Sequence, residues 1–136
     1  MGRGWVFLVL AGLVWGCDSG GGPAGRPEAP GGAGDFAALA EEILARKCAS
    51  AGCHAGERAS AGLDLTTGAA YASLVGKPAR RRPDRLLVGP GDPEGSYLVE
   101  RLVPGGDTPL MPLGRKPLEA AEVDRIRAWI RDGAKP

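Results

Sequence analysis

The chain has 136 residues, a formal net charge of +1 and a pI of about 7.7, with 24% charged and 43% hydrophobic residues. Those values fit one small globular domain and exclude a nucleic-acid binder held by phosphate neutralisation, which needs a clustered basic surface. Three cysteines are too few for a disulfide-dense scaffold, while 23 glycines and 12 prolines call for loops or a linker.

The first segment, residues 1–16, carries Arg3 and then an apolar run from Trp5 to Gly16. A membrane-spanning helix needs about 20 such residues, so the run reads as a secretory signal. Val14-Trp15-Gly16-Cys17 resembles the lipobox of bacterial lipoproteins, with Trp15 where a small residue is usual. The resemblance implies that Cys17 is acylated and anchors the chain to the periplasmic face of a bacterial membrane. An ordinary cleaved signal with a chance cysteine is the alternative. Residues 17–34, rich in Gly and Pro and without hydrophobic period, form the tether.

Residues 35–136 are predicted to fold as an all-α domain. Asp35 is an N-cap for a helix over 36–47, with Phe36, Leu39, Ala40, Ile43 and Leu44 on one face. A short helix is expected over 67–75, capped by Thr67 and stopped by Gly76. Asp92-Pro93 would open a third, carrying Tyr97, Leu98, Arg101 and Leu102. The last is expected over 118–132, with Val123, Ile126, Trp129 and Ile130 inward and Gly133 as its stop. No segment alternates as a strand would. Beyond the leader the aromatics are Phe36, Tyr71, Tyr97 and Trp129, a thin core that a large cofactor would complete.

Chemistry concentrates after the first helix, in Cys48-Ala-Ser-Ala-Gly-Cys53-His54. Two thiols followed by an imidazole form the c-type haem attachment pattern, here with four residues between the thiols instead of two. Each thiol would add across a haem vinyl group, and the histidine would meet the iron. Thioethers are frequent sixth ligands, and Met111 is the one methionine besides Met1. It lies between Pro109 and Pro112, just before the last helix. Lys77 and Lys116 are its competitors. Other readings stay open: a Cys48–Cys53 disulfide, a zinc site completed by a carboxylate, or Met111 as core filler. The basic run over 77–85 reads as a solvated loop or as a docking site for an acidic partner.

Residues 48–54, 61–65, 89–93, 96–98, 111–114 and 122–133 together resemble a small class I c-type cytochrome domain of the C-x4-CH kind. The resemblance implies one covalent haem c on Cys48 and Cys53, with His54 and Met111 as axial ligands of the iron. It also implies that the first and last helices cross beside the haem, where Phe36 and Trp129 match the packing positions. An electron carrier follows, not an enzyme. Its partners would be redox proteins or a respiratory oxidoreductase complex, with the membrane reached through the lipid and no nucleic acid bound. No spare histidine or cysteine is left for general-base or nucleophilic work. Two alternatives are a haem enzyme or gas sensor with a labile Met111, and a haem-free lipoprotein module held by zinc or a disulfide.

Overall fold

The computed structural model describes Met1 and residues 35–136; the signal, Cys17 and the tether fall outside the described residues. At the start of the domain the Asp35 carboxylate accepts from the amides of Ala37 and Ala38, at 3.0 and 3.3 Å. Two orphan donors are thereby satisfied, and α1 begins, Phe36–Leu39. It runs straight on into a π-helical segment, Ala40–Cys48. The wider turn persists to its end, where the Ala49 amide donates to the Leu44 carbonyl at 2.9 Å. Widened turns of this kind are rare and favour functional sites. Phe36, Leu39, Ala40, Ile43, Leu44 and Cys48 are buried, and Glu41 and Glu42 face solvent.

The final helix, which we call α4, spans Ala120–Arg131 and opens with a reciprocal capping box between Glu119 and Glu122. Gly133, at φ +98°, ends it. Val123, Ile126, Trp129 and Ile130 fill its inner face. Phe36 meets Trp129 with ring centroids 4.9 Å apart and Tyr71 edge-on at 5.2 Å. Ion pairs Lys47–Glu122 at 2.6 Å and Arg125–Glu42 at 2.8 Å tie the π-helical segment to α4 along its outside.

Between these helices the expectations need correction. The domain is not all-α but a small mixed α/β fold. A two-stranded antiparallel hairpin, β1 Pro78–Ala79 and β2 Arg82–Leu86, pairs Pro78 with Leu86 and Ala79 with Arg82. Its sequence hides it, because Pro78 and Pro83 are poor strand residues and β2 is mostly exposed, without alternation. An isolated hairpin is marginal in water. This one is held from outside: the Leu87 amide donates to the Lys77 carbonyl at 2.7 Å, and Arg85 pairs with Glu100 and donates to the Gly95 carbonyl at 3.0 Å.

Two helix starts also move. α2 is Ala70–Leu74, entered from Ala69 with no side-chain cap, because Thr66 and Asp64 close a turn just before it instead. α3 is Tyr97–Leu102, with Ser96 at its N-cap. Asp92 spends its carboxylate on the Gly95 amide at 2.8 Å, making a tight turn where a helix was expected. Among the described residues no helix is long and apolar enough to cross a membrane.

Candidate functional site

The segment following the π-helical turn is a closed loop. Gly52, at φ +79°, supplies the left-handed residue that the loop needs. The His54 amide returns to the Cys48 carbonyl at 3.3 Å, and the Cys53 amide donates to the Ser50 carbonyl at 2.9 Å. Beyond it, the Leu65 amide donates to the His54 carbonyl at 2.9 Å and anchors the histidine to the next segment. Asp64, whose carboxylate takes the Thr66 amide and hydroxyl, is held below the usual carboxylate range by those two bonds.

Against this loop lies a cavity of about 500 Å³, within the range of small-molecule and cofactor sites. Its wall is mostly apolar: Leu63, Leu65, Leu87, Leu98 and Leu102 contribute, along with Cys48, His54 and Met111. Arg80, Arg81 and Lys77 of the hairpin and Tyr97 and Arg101 of α3 add polar groups. The structure therefore brings Cys48 and His54, from the two ends of one loop, to the same cavity as Met111, some sixty residues further along the chain. Cys53, half-buried on the same loop, is not part of the lining. Lys77 shares the wall, whereas Lys116 is exposed and pairs with Glu119 at 2.5 Å.

The histidine is oriented. Its Nδ1 lies 3.1 Å from the Ser60 carbonyl oxygen, which can only accept. The neutral ring must then carry its proton on Nδ1, leaving the Nε2 lone pair free. The Ser60 carbonyl is thus the group that fixes the ring. Met111 is half-buried, packed against the core, and held by its amide donating to the Arg101 carbonyl at 2.8 Å.

Cys48 and Cys53 are both free thiols. Burial pushes the Cys48 thiol up to about 11, and neighbouring Lys47 only partly offsets it. A thiol so held is protonated at neutral pH. Among the described residues no three His, Cys, Asp or Glu side chains converge as a metal cluster. Tyr97, Arg101 and Ser60 are the site residues that sequence reasoning did not single out. Arg101, placed on the apolar face of a helix with Tyr97 and Leu98, carried the one readable signal.

Comparison with known protein families, curated proteins and solved structures finds no match to this chain.

Proposed function

We propose that the cavity takes one covalently attached haem c and that the chain transfers single electrons at the periplasmic face of a bacterial membrane. The observation that carries this reading is the meeting of Cys48, His54 and Met111 on one apolar wall. The group also fits on size and on chemistry: the cavity is large, mostly apolar, and holds buried polar atoms without partners on Tyr97 and Arg101. Bound haem supplies a one-electron ferric–ferrous couple.

The protein's own groups would divide the work. Cys48 and Cys53 would hold the haem through thioether bonds, Cys48 from the wall and Cys53 from the adjoining loop. His54, with Nδ1 committed to Ser60, presents the imidazole nitrogen that suits the iron. Met111 would offer a neutral thioether, which favours ferrous iron. The leucines of the wall would shield part of the group from water and so limit the rearrangement that accompanies a change of charge. A disulfide draws no support from two free thiols, and a zinc site of Cys48, Cys53, His54 and a carboxylate draws none from an arrangement in which, among the described residues, no three such side chains converge.

Anchoring would come from acylated Cys17 at the end of the tether. Redox proteins or a respiratory complex would be the partners. The test is an absorption spectrum in alkaline pyridine of the protein co-expressed with haem-attachment machinery. One covalent c-type haem per chain is expected; a colourless protein would refute the reading.

A further inference from the structure

Tyr97 and Arg101 stand one turn apart on α3, and both line the cavity. They are 5% and 8% exposed. Neither the Tyr97 Oη nor the Arg101 Nη1 has a hydrogen-bond partner, and among the described residues Arg101 enters no ion pair. Neighbouring Arg85 is the contrast, since it pairs with Glu100 and also donates to the carbonyls of Gly95 and Glu94. Both guanidinium carbons lie near the Tyr97 ring, at 6.0 Å for Arg85 and 5.8 Å for Arg101. The ring face attracts a cation but offers Nη1 no acceptor in the plane of its N–H bonds.

A guanidinium does not give up its proton, so burying one without a counter-charge is costly. An anion that also accepts from a phenol would satisfy the charge and both unpartnered donors at once. The remaining wall is leucine-rich, so the rest of that ligand must be apolar. An apolar body carrying an acid group meets both demands; a free inorganic anion meets only one.

We infer that Arg101 and Tyr97 form a carboxylate-receiving site in the cavity wall and hold one carboxylate of the haem through Arg101 Nη1 and Tyr97 Oη. The inference rests on the haem reading above. It assigns the exposed cations Arg80 and Arg81 no part in this contact, because they remain solvated at the hairpin.

The full chain, purified without attached haem, is titrated with haem and with haem dimethyl ester, whose two carboxylates are blocked. Iron and ring are the same in both probes, so axial ligation cancels. Haem is expected to bind at least about tenfold tighter than the diester, the usual worth of a buried hydrogen bond to a charged group. Arg101→Gln should shrink the preference to within about twofold, Arg101→Lys should keep part of it, and Tyr97→Phe should reduce it severalfold. The double variant Arg80→Gln/Arg81→Gln should leave it intact. Equal binding of the two probes to wild type overturns the inference and leaves the haem reading standing. So does a preference that survives Arg101→Gln or disappears with the hairpin cations. Should Arg101→Gln fail to fold, Tyr97→Phe and the hairpin variant decide in the same way. If neither probe binds wild type, the haem reading and the inference fall together.

Discussion

The two sides of this domain solve different problems. On one side α1, its π-helical continuation and α4 close against each other through Phe36, Trp129, Ile43 and Ile126, with ion pairs along the outside. On the other side the 53–65 loop, the hairpin, α3 and the segment around Met111 enclose space instead of filling it. Packing consumes the apolar side chains of the first side, so its energy is internal to the fold. The second side leaves leucines, a histidine, a thioether and a buried guanidinium lining a cavity, where any ligand that binds the folded chain would add stability. With few aromatics to fill it, the domain keeps a cavity of about 500 Å³ on this second side.

The difference can be broken hardest at Trp129, which is 2% exposed. Trp129→Ala should cost about 3–5 kcal/mol, read as a shift of the urea midpoint, whether or not the cavity is filled. A much smaller loss would mean that the helical side is not self-supporting.

On the cavity side the largest expected effect is spectroscopic. If the cavity holds haem c as proposed, Met111→Ala should leave it attached but abolish the weak sulfur-to-iron band of the ferric protein and lower its reduction potential. Superimposable ferric spectra of variant and wild type at neutral pH would make Met111 a packing residue. A lysine ligand such as Lys77 would announce itself differently, appearing as pH rises, because it must first lose its proton.

Thiol reactivity sharpens the comparison further. In the haem-free chain at pH 8, Cys53 should be alkylated readily while buried Cys48, raised to about 11, resists until the chain unfolds. Mass spectrometry after timed exposure to iodoacetamide reads both sites. Equal rates would show that the end of the π-helical segment is open.

The loop and the seam between the helices come next. Gly52→Ala meets no steric obstacle, so its cost is that of a left-handed alanine, about 1–2 kcal/mol by thermal or urea denaturation. Glu122 at the seam is pushed up by partial burial, but Lys47, the Glu119 amide and Arg125 outweigh that and hold it below its ordinary 4.5. Its folded value is therefore depressed, and its stabilisation is present above pH 4.5 and lost as pH falls through the folded value. Glu122→Gln should flatten that part of the stability–pH curve, by less than about 1 kcal/mol for so accessible a pair. Smallest of all is Leu113→Ala beside Met111: at 66% exposed it should change stability by no more than about 0.5 kcal/mol.

Residue order alone marked where the helical side begins and ends and which residues it buries, through its apolar spacing with Asp35 and Gly133 as punctuation, but not that Ala40–Cys48 winds as a π-helix where an α-helix was expected. The spacing of Cys48, Cys53 and His54 and the position of Met111 were visible in the residue order, and the structure places Cys48, His54 and Met111 on one cavity wall. Only the tertiary structure decided the rest. The hairpin at 78–86 has no strand pattern and exists through Arg85 and the paired amides of its neighbours. Asp92 could have capped a helix, but the nearby Gly95 amide captured it first. Ser60 as the partner of His54, and Arg101 left without one beside Tyr97, follow from where the chain crosses itself. Local pattern reports what a side chain prefers. Which carbonyl, cation or cavity it meets depends on contacts between stretches far apart in sequence, and these are set when the whole chain packs.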